Sequence, residues 1–241
     1  MKKPALKNPS EKLEFTIAHR PRVTKRLHLE LDKQGGLVVV APKHWSRAHI
    51  STTLSQNTAS VARFLTRARQ RLLPPLQYAR GENHLYLGET YSLVIVRGST
   101  RKSRFDISSG EIQITTANPD PVAIKSAMMA WYRRQALRLF SERMNVIAQK
   151  APWAASTVVP LKLRNMRRTW GNCSSKGVIK LNTHLIKSPL SLIDSVIAHE
   201  LCHLEEMNHS RAFYSLLENL NPGWRQDRAT LRSQGYIYLR S

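Results

Sequence analysis

Ala198-His199-Glu200-Leu201-Cys202-His203-Leu204-Glu205-Glu206-Met207-Asn208-His209 is the stretch on which the reading of this chain turns. It contains H-E-x-x-H, with a third histidine six residues on. On a helix, His199 and His203 stand about 40° apart around the axis and about 6 Å along it, so both imidazoles project from one face. Two such nitrogens can converge on one ion at about 2.0–2.1 Å, the length of a zinc–imidazole bond. Glu200 adjoins the first histidine and can reach a water on that ion without taking a coordination position. One segment therefore offers ligands and a general base together, the combination that metal-assisted hydrolysis requires.

His209 sharpens the expectation. On a continuous helix it would sit about 120° round from His203 and could not join the same ion. The helix must end between them, and Asn208 is a candidate for a left-handed stop. The spacing equals that of the metzincins, but Glu206 stands where they place a turning glycine, which argues against that group while keeping three-histidine ligation. The competing reading is a helix whose histidines pack or face solvent. Leu192, Ile193, Val196, Ile197, Leu201 and Leu204 give the helix a broad apolar surface, as expected beside a cleft. Ser188-Pro189 reads as an N-cap with a first-turn proline, and Ser191 with Asp194 as a second start signal.

The chain has 241 residues, 41% hydrophobic and 22% charged, an ordinary globular balance with room for one large domain or two small ones. Its two cysteines, Cys173 and Cys202, make no disulfide framework and suggest a reducing compartment. The first residues are basic, but no apolar segment follows them, and no stretch is long and apolar enough to span a bilayer. A cytoplasmic protein of bacterial type without a membrane partner is expected. The net charge of +22 is spread along the chain and is compatible with DNA, RNA or another polyanion as partner, or with mere solubility.

Residues 1–12 read as a flexible polar N-terminus. Strand-like runs follow at Phe15-Thr16-Ile17, Arg26 to Leu31 and Leu37 to Val40, with Gln34-Gly35-Gly36 turning between the last two. From Ser46 to Leu73 the pattern is helical, with Arg63, Arg67 and Arg71 as an outer ridge, read first as a solvated face. His84 to Leu87 with Tyr91 to Val96 reads as a hairpin, and so does Phe105 to Ile107 with Ile112 to Ile114. Asn118-Pro119-Asp120-Pro121 is the clearest break. The expected domains are a β-rich N-terminal one over 13–120 with one helix, and a second over 121–241. In the latter a long helix runs from Val122 to Gln149. Short strands then lie near Val158-Val159 and Val178 to Leu181, and helices follow the metal segment at Ser210 and around Trp224. The fold class is α+β.

A second motif, Arg167-Arg168-Thr169-Trp170-Gly171-Asn172-Cys173-Ser174-Ser175-Lys176-Gly177, suggests a tight loop or edge strand. Cys173 reads as a small packed residue because three histidines already fill the usual protein quota of a catalytic zinc site. Cys202 points off the metal face. Taken together the two motifs resemble the YgjP-like metallopeptidase family, a relative of the SprT and WLM zincins. The resemblance continues through Ile179-Lys180-Leu181-Asn182, Asn208-His209-Ser210, Phe213 and Asn221-Pro222-Gly223-Trp224. In the N-terminal half it touches Val40-Ala41-Pro42, Leu87-Gly88 and Trp131-Tyr132-Arg133. Asn172 departs from the family's usual serine. The resemblance implies a zincin-like minimal metallopeptidase domain of long helix, small sheet and H-E-x-x-H helix.

The expected activity is zinc-dependent peptide hydrolysis, with one Zn²⁺ on His199, His203 and His209 and Glu200 as general base. Arg167, Arg168, Asn172 and Tyr214 are candidates to stabilise the oxyanion, and with Trp170 they are the candidate substrate contacts. Glu205, Glu206 and Glu218 are candidates to orient the histidines. Resemblance to SprT-type proteins and the charge together suggest substrates held on nucleic acid. Two other readings compete: a metal-dependent hydrolase of nucleotide phosphoanhydrides, for which no P-loop pattern is present, and a non-catalytic zinc-containing nucleic-acid-binding module. An open coordination position and Glu200 both argue against the last.

Overall fold

The structure, a computed structural model, describes residues 14–241 except 22, 24, 33, 34, 71, 72, 100, 101, 156, 157 and 167, with backbone alone at 66, 67, 69 and 70. The expected 1–12 terminus, Gln34 of the turn, Arg71 and the side chain of Arg67 thus lie outside the described residues. The chain divides into two compact units, one ending at Pro74 and one starting at Pro75.

In the first unit β1 (Phe15–Ala18) runs parallel and β2 (His28–Leu31) antiparallel to the central β3 (Leu37–Val40). β3 is apolar throughout because both its edges are paired and its side chains are largely buried. The helical stretch is two helices, α1 (Arg47–Gln56) and α2 (Thr58–Gln70), rather than the single one expected. Ser46 caps α1 by accepting from the His49 N–H at 3.2 Å. Asn57 makes the break: its side chain donates to the Thr53 carbonyl at 2.9 Å, competing with the helical ladder at that point.

The second unit opens with β4 (Asn83–Tyr86), β5 (Glu89–Arg97), β6 (Arg104–Ser108) and β7 (Glu111–Thr116), in the order β4-β5-β7-β6. Both expected hairpins form, and β5 and β7 join them in parallel. The β4–β5 turn needs positive φ at Leu87 (52°) and Gly88 (87°). A Cβ on Gly88 would lie 2.8 Å from Cγ of Pro189, so glycine also permits the turn to seat against the start of the metal helix.

Asp120 caps α3 (Pro121–Ala148) by accepting from the Val122 N–H at 2.9 Å, with Pro121 in the first turn. Asn118-Pro119-Asp120-Pro121, where the domain boundary was expected, falls inside the second unit. The reason is packing: Leu93, Ile112 and Ile114 of the sheet share one buried cluster with Ile124, Met128 and Trp131 of α3 and with Ile197 and Leu201 further on. Trp131 stacks on Phe105 at 5.4 Å.

A second mixed sheet follows, β8 (Leu161–Arg164), β9 (Gly171–Cys173) and β10 (Ile179–Asn182), in the order β8-β10-β9. The strand expected at Val158-Val159 begins later. Val158 is 95% exposed, and Pro160, which has no N–H, enters the pairing only by accepting from the Ile179 N–H. After a 3-10 turn (Thr183–Lys187) come α4 (Leu190–Cys202), α5 (Arg211–Leu220) and α6 (Trp224–Tyr238). Ser188 does not cap α4, contrary to expectation: its hydroxyl donates to the Leu185 carbonyl at 2.8 Å and closes the 3-10 turn instead. A two-pronged ion pair ties α3 to α4, with Arg143 Nε and Nη2 each 2.8 Å from an oxygen of Asp194. Among the described residues no helix is long and apolar enough to cross a membrane.

Candidate metal centre

α4 buries Leu192, Ile193, Val196, Ile197 and Leu201 in the core, which holds His199 and Glu200 in its last turn. His203 is the C-cap and keeps helical dihedrals (φ −69°, ψ −12°), so the i, i+4 relation to His199 survives. The helix then tightens: Leu204 N–H donates to the Leu201 carbonyl, and both Glu205 and Glu206 N–H groups to the Cys202 carbonyl. The chain does turn between His203 and His209, as it must. It does so without a left-handed Asn208, since among the described residues the positive-φ non-glycine ones are Tyr78, Leu87 and Ser109.

The turn returns His209 to the helix. Its Nε2 stands 3.1 Å from Nε2 of His199, and the ligand atoms of His199, His203 and His209 all lie within 4.8 Å of one another. Nδ1–H of His203 donates to the Glu206 carbonyl at 3.0 Å, which fixes the tautomer and leaves Nε2 with its lone pair for a ligand. Glu206 therefore contributes its backbone rather than its carboxylate. Glu218 is committed elsewhere, accepting from Trp224 Nε1 at 2.7 Å and Arg225 Nη1 at 2.6 Å. Ser210 caps α5 through the Phe213 N–H, and the fully buried Phe213 ring lies under all three imidazoles, with centroids 5.0, 4.6 and 4.7 Å from His199, His203 and His209. Only the fixed spacing of Phe213 after Ser210 hints at that role in the sequence.

Glu200 is 4% exposed and lies against β9. A Cβ on Gly171 would sit 2.6 Å from its Oε1 and 2.8 Å from its Cγ, so that position has room for glycine alone. Burial pushes the Glu200 carboxyl up to about 8, partly offset by a hydrogen bond from the Cys173 backbone. Its Oε2 has no hydrogen-bonding partner among the described residues. His199 is held down at about 4, by burial first and then by His203, His209 and the Arg228 guanidinium. Burial, His203 and Arg228 lower His209 as well. Three imidazoles gathered at one point, two of them held off protons, and a buried carboxyl with an unpartnered oxygen fit a divalent cation, whose charge would restore the carboxylate form.

The remaining candidates divide. Tyr214 is at the site, stacked between His209 (6.2 Å, 28°) and Trp224 (5.0 Å, 20°). Asn172 is exposed on β9, opposite Lys180, and Arg168 is exposed on the preceding loop. Arg167 lies outside the described residues. Trp170 faces α6: its ring is 6.3 Å from that of Tyr238, and its Cζ2 would be 2.8 Å from a Cβ on Gly235. Cys173 stays outside the histidine cluster and is half-buried, while Cys202 is fully buried. Asn182, also fully buried, was not singled out by its sequence context. Its Nδ2 donates to the Met166 and Thr169 carbonyls at 2.8 and 3.0 Å, and its Oδ1 accepts from the His184 N–H at 3.1 Å, which pins the loop leading into β9.

Comparison with known proteins gives a family match and two structural likenesses. A family profile described as "YgjP-like, metallopeptidase domain" matches residues 25–234. The metallopeptidase zymogen abylysin of Pyrococcus abyssi is similar at 20% identity over 39% of this chain and 95% of its own, with a TM-score of 0.35. The zymogen jannalysin of Methanocaldococcus jannaschii is similar at 18% identity over 39% and 93%, with a TM-score of 0.34. No curated protein matches the chain significantly.

Proposed function

The chain belongs to the YgjP-like metallopeptidase family, and from that premise we propose that it is a zinc-dependent peptidase in which His199, His203 and His209 hold the ion and Glu200 is the general base. The observation that carries this reading is the pairing of the three-histidine cluster with a buried carboxyl one residue from its first member. Three imidazoles are the donor set of a catalytic zinc site and leave a position open. When bound, the ion supplies Lewis-acid chemistry that acidifies water and polarises a carbonyl. Glu200 then accepts the proton of the attacking water at Oε2 and returns it to the leaving nitrogen. Gly171 keeps that carboxyl in place by offering no side chain against it. Among the described residues β9 pairs only with β10, so its outer edge, beside Glu200, suits an extended peptide adding as a strand. Asn172 and Arg168 flank that edge as substrate contacts.

Basic charge supports a nucleic-acid-associated substrate. The residues up to Pro74 carry fifteen Lys and Arg against four Asp and Glu, half of the whole surplus in under a third of the chain. We place the protein in the reducing cytoplasm on the strength of its two unbridged cysteines. The test compares zinc-loaded protein with the Glu200→Gln variant on a basic DNA-binding protein, with and without DNA, reading fragments by mass spectrometry. Glu200-dependent fragments are expected, with more in the presence of DNA. Glu200-dependent phosphate release from nucleotides without any proteolysis would overturn the peptidase reading.

A further inference from the structure

α6 presents one face to the metal centre, and that face carries a cation that the reading above does not use. Trp224, in its first turn, stacks on Tyr214, which stacks on the ligand His209. Gly235, eleven positions later, lies against Trp170, whose neighbour Gly171 packs on Glu200. At about 100° per residue, Trp224 and Gly235 differ by about 20° around the helix, and Arg228, between them, falls within about 40° of both. The helix thus touches the ligand side of the cleft at one end of this face and the base side at the other, with Arg228 on the stretch that spans them.

The other cations of α6 are placed differently. Arg225 lies about 100° round from Trp224 and is engaged by Glu218 at 2.6 Å and by the Trp224 ring at 4.6 Å. Arg232 lies about 80° from Trp224 and about 60° from Gly235. Arg228 is exposed, and among the described residues no carboxylate pairs with it. The face that bears it runs from the Trp224–Tyr214–His209 stack at one end to the Trp170–Gly171–Glu200 contact at the other.

We propose that Arg228 is a catalytic residue that donates to the oxygen of the scissile carbonyl as that oxygen gains negative charge. In the step concerned, the water oxygen bonds to the carbonyl carbon, the water proton moves to Glu200, and the carbonyl π pair moves onto the oxygen facing Arg228. When the carbon–nitrogen bond breaks, that pair returns and the proton passes from Glu200 to the leaving nitrogen. An oriented donor aimed at developing charge lowers the barrier more than it strengthens substrate binding. The proposal rests on the peptidase reading.

The experiment uses the full chain loaded with zinc, as wild type, Arg228→Met and Arg228→Lys, with metal content and thermal midpoint measured on each. Two readouts are taken: kcat and KM on a cleaved peptide, and the affinity for inorganic phosphate, a stable oxyanion, by calorimetry. Arg228→Met is expected to lower kcat by about 100-fold with little change in KM, and to weaken phosphate by about tenfold, while Arg228→Lys recovers part of both. Unchanged kcat and phosphate affinity would overturn the proposal. So would a loss confined to KM that vanishes with C-terminally amidated peptides, since Arg228 would then anchor a substrate carboxylate. If the wild type cleaves no peptide, the peptidase reading fails by itself and the phosphate titration still decides: weaker binding in Arg228→Met supports an oxyanion contact, and equal binding removes it.

Discussion

Gly171 and Glu200 are fitted so closely that a single methyl group on the glycine would lie 2.6 Å from the carboxylate oxygen it backs. The contact joins β9 to α4, and both partners are held, Gly171 by its pairing with Leu181 and Glu200 by the buried face of its helix. Gly171→Ala must therefore move the carboxyl. Its expected effect is a loss of peptidase kcat/KM of about 100-fold, with a stability cost of about 1–3 kcal/mol. Zinc stoichiometry by elemental analysis should stay at that of the wild type.

Glu200→Gln should keep the shape of the site and remove its base. Activity is expected to fall by about 10²–10⁴-fold while zinc remains bound. Loss of the metal together with the activity would show that Glu200 is needed to assemble the site, against the role given to it here.

His209 is the most exposed of the three clustered histidines and the one reached only through the turn after α4. His209→Ala should weaken zinc by more than the about 10–100-fold that follows loss of a partner behind a ligand. The check is a thermal melt with and without added zinc: the ion should raise the midpoint of the wild type and leave that of the variant nearly unmoved.

Acid should destabilise the fold through two histidines remote in sequence from the ligands. Burial holds His84 and His184 at about 4 against an ordinary 6.5, with Lys187 adding to both and Glu82 partly offsetting the first. Between pH 6.5 and 4 the unfolded chain binds protons there that the folded chain does not, so stability falls as pH falls through that window. Each group contributes a slope of about 1.4 kcal/mol per pH unit at most. Denaturant unfolding of chelator-treated protein from pH 7 to 4 should show the decline, and His184→Asn should flatten it.

Asn182→Ala would strip the Met166 and Thr169 carbonyls of a donor that reaches them from the core. A cost of about 2–4 kcal/mol is expected. Hydrogen exchange should quicken from Met166 to Gly171 before any change in α3.

The histidine cluster is legible in the sequence because its geometry is local: a helix fixes His199 against His203, and a single turn brings back His209. The hairpins are legible for the same reason, since alternation and turn residues are properties of short stretches. Asn118-Pro119-Asp120-Pro121 has every local mark of a domain edge, yet Ile112 and Ile114 before it and Ile124 and Met128 after it are buried in one cluster. No local signal reports that. Ser188 shows the same limit at smaller scale, because two neighbouring elements compete for one hydroxyl and the 3-10 turn wins. Trp170 reads from its motif as a candidate substrate contact, and its packing on Gly235, sixty-five residues on, has no mark in that motif. Arg228 carries no motif and is placed only by the face of α6 on which it falls.

The three clustered histidines fall within eleven consecutive residues, while Gly171 stands twenty-nine residues ahead of Glu200 and Gly235, the seat of Trp170, sixty-five residues after it. Closing the first loop takes little chain entropy, and closing the others takes more. As the polypeptide folds, the cluster able to capture an ion can therefore form before the strand that disciplines the base and the helix that braces that strand. Gathering the three histidines thus costs less chain entropy than setting Glu200 against its strand, so the two halves of the site draw unequally on the rest of the fold.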